Sequence, residues 1–169
     1  LDELNDIMAE QLKGKRSIGI NGDELTYKMY NFIKKHADDD VELMDISKAV
    51  TATRMVKDEA EISTLKKACD IASEVAEHMI DFLEPGMREY EAAAELSYQM
   101  LKRGASGNSF ETIMAFGKNS AEPHYSAGDV VLNKGQFVLM DFGALYKRYC
   151  SDITRTYVCG PMSEKHRKI

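Results

Sequence analysis

Two aspartates and one histidine stand where side chains could do chemistry. Asp141 follows the apolar run Val138-Leu139-Met140, and Asp152 precedes Ile153-Thr154-Arg155-Thr156. A charged group at the inner end of an apolar strand is costly unless something compensates it. The two aspartates flank a loop containing Gly143. An antiparallel hairpin centred on Tyr146 and Lys147 would set them opposite each other on one face, with Cβ atoms roughly 5 Å apart. Carboxylates that close repel unless a proton or a cation lies between them. As hard oxygen ligands they suit a pair of divalent ions. The ordinary alternative is that Asp141 caps a turn and Asp152 pairs with Arg148 or Arg155. His124 lies in Ala121-Glu122-Pro123-His124-Tyr125, within a loop of small and polar residues. An imidazole there could exchange a hydrogen bond with a substrate carbonyl or amide, although a lone loop histidine is often merely exposed. His36, His78 and His166 have no partners in the sequence and read as surface residues.

Other chemistries find little support. Asp141-Phe142-Gly143 is the magnesium-holding triplet of protein kinases, but the glycine-rich loop, the H-R-D motif and the strand lysine of that set are missing. Gly117-Lys118 lacks the upstream glycine and following hydroxyl residue of a phosphate-binding loop. Cys69, Cys150 and Cys159 are odd in number and lack C-x-x-C spacing, which argues against a disulfide framework or structural zinc. Cys69 falls in an apolar helical stripe, and a reducing cytoplasm fits this usage. The formal net charge is −6, with no basic stripe to bind nucleic acid. No apolar run is long enough to cross a membrane.

The elements that must hold these residues form two groups. Leu4, Ile7, Met8 and Leu12 predict a short helix, Arg16 to Ile20 a strand, residues 24–36 a helix with Asp23 as N-cap, and Val41 to Ile46 a second strand. This β-α-β is too small to stand alone. A long helix follows from about Asp58 to Leu83, with Ile62, Leu65, Cys69, Ala72, Ala76, Met79 and Leu83 as its apolar stripe. Its small residues suit a helix laid on a sheet. Glu84-Pro85-Gly86 stops it. A second helix, from about Glu89 to Arg103, would bury Tyr90, Ala93, Ala94, Ser97, Met100 and Leu101, with Gly104 as its left-handed cap. Strands are expected at Phe110 to Phe116, Phe137 to Phe142 and Ile153 to Val158, with a loop from Gly117 to Gly128. Helices followed by strands indicate an α+β layer with the helices on one face. Ser163 reads as the N-cap of a helix running into Ile169, and both chain ends read as cut.

Taken together in order, these segments resemble the Xaa-Pro aminopeptidase and prolidase family. The resemblance rests on Lys57 to Ile62, on Pro85-Gly86 with Glu89 and Glu91, and on Phe110-Glu111-Thr112-Ile113. It continues through the stretch from Gly117 to Tyr125, Asp141-Phe142-Gly143-Ala144 and Ser151-Asp152-Ile153-Thr154-Arg155-Thr156. It covers residues 54–169 and implies the first half of a pita-bread fold over residues 55–169. Residues 1–54 look more loosely like the β-α-β tail of that family's α/β N-terminal domain.

The resemblance also implies a site. Asp141 and Asp152 would be metal ligands, Asp152 the bridging one, and His124 would contact the substrate or the tetrahedral intermediate. Two divalent ions (manganese, cobalt or zinc) would assist hydrolysis of the first bond of a peptide with proline in second position. The family's remaining ligands, one histidine and two glutamates, have no match in these residues. The chain alone is therefore expected to bind metal weakly and not to hydrolyse peptides. A half-sheet would expose an edge and an apolar face, so self-association as a dimer, or pairing with another chain, is expected. The alternative function is a non-catalytic pita-bread module that binds other proteins. It is disfavoured because such a module has no need of a costly carboxylate pair. A metal-free creatinase-like enzyme is disfavoured on the same residues, and a methionine aminopeptidase by the β-α-β front piece.

Overall fold

The computed structural model describes residues 2–168. Two compact units emerge, Leu1–Lys57 and Asp58–Ile169. The first contains α1 (Asp2–Leu12), β1 (Ser17–Ile20), α2 (Tyr27–His36), β2 (Glu42–Asp45) and α3 (Ser47–Met55). Strands β1 and β2 pair in parallel, with Ser17 opposite Glu42 and Ile20 opposite Asp45, so the expected β-α-β is present. The cap of α2 is Thr26, whose Oγ1 accepts from the Met29 amide at 3.2 Å. Asp23 was the expected cap, but the Glu24 and Leu25 amides turn back onto the Asn21 carbonyl and delay the helix. The Asp23 amide instead donates to Ser47 Oγ at 3.2 Å. The sequence did not suggest α3, because Ser47 to Met55 has no apolar period. Among the described residues of this unit only Ser47 is buried, so it has no apolar core of its own.

The second unit runs α4 (Glu59–Phe82), α5 (Glu89–Lys102), β3 (Gly107–Asn108), β4 (Ile113–Phe116), a 3-10 turn (Gly117–Ala121), β5 (Phe137–Phe142), β6 (Ala144–Tyr146), β7 (Tyr149–Cys150) and β8 (Ile153–Val158). Asp58 and Glu61 form a reciprocal capping box that fixes the start of α4. At the end of α5, Gly104 adopts φ +99° as expected, and the Ala105 amide reaches the Met100 carbonyl at 3.1 Å. Strands β4, β5 and β8 make one antiparallel sheet in the order β4-β5-β8, and β3, β6 and β7 another in the order β3-β6-β7. On β5 the side chains alternate. Val138, Met140 and Phe142 are fully buried in a cluster with Ile71, Val75 and Met79 of α4 and Leu96 and Met100 of α5. Truncating Phe142 to Ala in such a core costs about 3–5 kcal/mol. Phe137, Leu139 and Asp141 alternate with these core residues and point to the other face.

The stripe expected on α4 holds in its second half, where Ala72, Ala76, Met79 and Leu83 are buried, and fails in its first, whereas α5 buries the expected Met100 on a face otherwise different from the one expected. On α4 the buried residues are Ala68, Ile71, Ala72, Val75, Ala76 and Met79, while Ile62 is exposed. Cys69 is exposed as well, so it does not pack as a core residue. On α5 the buried face is Glu89, Ala92, Leu96, Gln99 and Met100, and Tyr90 and Leu101 are exposed. A glutamate and a glutamine on the inner face disguised that stripe.

The hairpin also differs in register. Its turn is Lys147-Arg148, with φ of 47° and 71°, and Tyr146 faces Tyr149. Two successive residues in the left-handed region form a type I′ turn, usually signalled by Asn or Gly, which this sequence lacks. Asp141 is consequently opposite Thr154, not Asp152. The strand expected at Phe110 begins only at Ile113. Near the end, Ser163 Oγ accepts from the His166 amide at 3.2 Å and a single 3-10 turn (His166–Lys168) follows; Ile169 lies outside the described residues.

Candidate active site

Gly143 interrupts the β5 to β6 strand, and Ser151 and Asp152 interrupt β7 to β8 opposite it. A Cβ on Gly143 would lie 1.8 Å from the Ser151 carbonyl oxygen and 2.1 Å from Ser109 Oγ, so only glycine permits this approach. The junction is tied by four bonds. The Ser109 amide donates to the Gly143 carbonyl at 2.9 Å and Ser109 Oγ to the Ser151 carbonyl at 2.7 Å. The Ala144 amide donates to Ser151 Oγ at 2.9 Å and the Ser151 amide to the Ala144 carbonyl at 3.0 Å. Asp152 emerges from this knot two residues before Thr154. That is the diagonal position to Asp141 on the same face, roughly 7–8 Å away in a regular ladder.

Asp141, Asp152 and His124 line one cleft of about 420 Å³, together with Phe110, Glu111, Ile113, Pro123, Tyr125 and Ser126. All three site residues read from the sequence therefore meet. Neither aspartate takes the ordinary alternative: no ion pair among the described residues involves Asp141 or Asp152, and Arg155 donates to the Thr154 carbonyl instead. Asp141 Oδ1 is buried with no hydrogen-bond partner. A buried carboxylate oxygen without a donor is unfavourable, and a cation is one group that satisfies it. The observation fits a cation held at this carboxylate. Among the described residues no group of three or more His, Cys, Asp or Glu side chains is arranged to hold a metal ion.

Sequence reasoning missed the group that holds the histidine loop. Glu89 is fully buried, and four donors converge on its carboxylate. Oε1 accepts from the Phe116 amide at 2.8 Å and Asn119 Nδ2 at 3.0 Å. Oε2 accepts from the Tyr125 hydroxyl at 2.7 Å and the Gly128 amide at 3.0 Å. Asn119 Nδ2 also donates to the Tyr125 oxygen at 2.7 Å, closing a ring of three side chains. The hydrogen bond to Glu89, then burial, then the Glu89 charge push the Tyr125 phenol up to about 12. Gly128 sits close enough that a Cβ would touch the Tyr125 hydroxyl at 3.3 Å. The available signal was the placement of Glu89, a charged residue just after Pro85-Gly86 at the start of a helix.

Residues 63–169 match metallopeptidase family M24. The chain belongs to that family. Residues 1–56 match the creatinase/prolidase N-terminal domain. The M24 chain is 39% identical over 164 residues to the Xaa-Pro dipeptidase of Pyrococcus furiosus, covering 97% of itself and 47% of that protein. Among solved structures it resembles the Xaa-Pro dipeptidase of Bacillus anthracis, at 42% identity and a TM-score of 0.88, with 98% of this chain and 47% of the other covered. The prolidase of Pyrococcus horikoshii gives a TM-score of 0.89 at 36% identity, covering 100% of this chain and 48% of the other. The chain thus spans about half the length of the relatives it matches, and its architecture is part of the pita-bread fold. Among the described residues no helix is long and apolar enough to cross a membrane.

Proposed function

We propose that this chain contributes part of the active site of a Xaa-Pro peptidase, in which Asp141 and Asp152 hold divalent metal and His124 meets the substrate. The observation that carries this reading is the shared cleft, where Asp141 presents a buried carboxylate oxygen with no protein partner. Bound divalent ions would supply a lowered water pKa and charge stabilisation at the scissile carbonyl. The chain's own residues bind and orient. The His124 imidazole is exposed on the cleft wall and can donate to the carbonyl oxygen as charge develops there. Phe110, Ile113 and Pro123 offer apolar surface for substrate side chains.

With two carboxylates as its only proposed ligands, the chain by itself binds metal weakly and does not turn over peptides. Calorimetric titration with manganese, alongside an assay on a Xaa-Pro dipeptide, tests both statements. Weak binding that vanishes in Asp141→Asn, with no turnover, is the expected result. Turnover by this chain comparable to that of a complete prolidase would overturn the account, as would manganese binding unchanged in Asp141→Asn.

A further inference from the structure

We propose that Glu89 is the positioning residue of the histidine loop: its carboxylate clamps both ends of residues 116–128 and so sets where the His124 imidazole lies in the cleft. The inference rests on the reading of His124 as the substrate-facing group.

The argument begins with where the donors come from. All four belong to one segment: Phe116 at its entrance, Asn119 and Tyr125 within it, Gly128 at its exit. The exit is held twice, because the Tyr90 amide also donates to the Gly128 carbonyl at 3.2 Å. Tyr125 is the immediate neighbour of His124, whereas the His124 side chain itself has no hydrogen bond among the described residues. Its placement is therefore inherited from the backbone that Glu89 holds.

Glu89 has no other evident task. The start of α5 is already served by Glu91, whose Oε2 accepts the Arg88 amide at 2.8 Å. No cation pairs with Glu89 among the described residues. Its negative charge is balanced instead by four donors and by the positive end of the α5 macrodipole, at whose first residue it sits. An ionised carboxylate only accepts, so it matches four converging donors, and a glutamine cannot. In Glu89→Gln the amide nitrogen would face either the Phe116 and Asn119 donors or the Gly128 amide.

The test uses this chain with Glu89→Gln, followed by nuclear magnetic resonance and limited trypsin cleavage after the exposed Lys118. Amide exchange at Phe116 and Gly128, and cleavage at Lys118, should quicken roughly tenfold or more, since local opening replaces buried donors left without acceptors. The His124 ring resonances should shift and broaden, while core amides at Val75, Met140 and Phe142 keep their protection. Should Glu89→Gln fail to fold, Tyr125→Phe takes its place, with the same shift at His124 and faster exchange at Gly128 expected. His124 ring signals that coincide with the unaltered chain, with loop exchange within about twofold, would overturn the proposal. None of these readouts involves metal or turnover. A failed manganese titration would therefore sink the peptidase reading alone, and an unmoved loop would sink this one alone.

Discussion

Replacing Asp141 by leucine should stabilise the metal-free chain. Asp and Leu branch at the same atom, so the change is close to isosteric at Cγ. The position lies on the sheet face beside Leu139 and opposite Thr154, with Ile113 as its neighbour on β4. The wild-type carboxylate keeps Oδ1 buried without a donor. A buried acceptor left unsatisfied costs about 1–3 kcal/mol, more when it is charged. Removing it should raise the unfolding free energy by about that amount, measured by urea denaturation in the presence of a chelator. With manganese at ten times its dissociation constant, the wild type should regain about 1.4 kcal/mol by mass action, and the leucine variant nothing. A leucine variant more than about 1 kcal/mol less stable than wild type in chelator would show that the folded chain satisfies the carboxylate by itself. Equal stabilisation of both proteins by manganese would remove Asp141 from the metal site.

Gly143→Ala should destabilise the second unit by about 2–5 kcal/mol, because the Cβ clash forces apart a junction tied by four hydrogen bonds; a loss under about 1 kcal/mol in thermal unfolding would contradict the packing described. The Tyr125 phenol ionises in the folded chain only near 12, above its ordinary 10.0, so its contribution to stability is complete below pH 10 and lost as the pH climbs through about 12. The difference in tyrosinate absorbance between wild type and Tyr125→Phe should titrate in that upper range, and a midpoint near 10 would refute the buried bond to Glu89. Strands β4 and β8 are the outer members of their sheet, and an open strand edge invites pairing. Sedimentation should show a dimer or larger species, and a clean monomer would count against self-association.

The fold and the site were legible in the sequence to different depths, for physical reasons that particular residues expose. Strand β5 was plain, because Phe137 to Phe142 is apolar on both faces until Asp141. The inner face of α5 was not, because it begins with a glutamate. Periodicity reasoning places charge outside, and only three-dimensional contact reveals that four donors from one loop draw Glu89 in. The hairpin turn was misjudged because Lys147 and Arg148 occupy left-handed backbone without the usual Asn or Gly. That error moved the centre of the hairpin by one residue, and therefore moved every cross-strand partner by two. Side chains alternate with a period of two along a strand, so a shift of two leaves each one on its original face, whereas a shift of one would have sent it to the other. The pairing of Asp141 with Asp152 was thus wrong in register and right in face. The cleft keeps both carboxylates because parity, rather than the exact partner, decides which side chains share a surface.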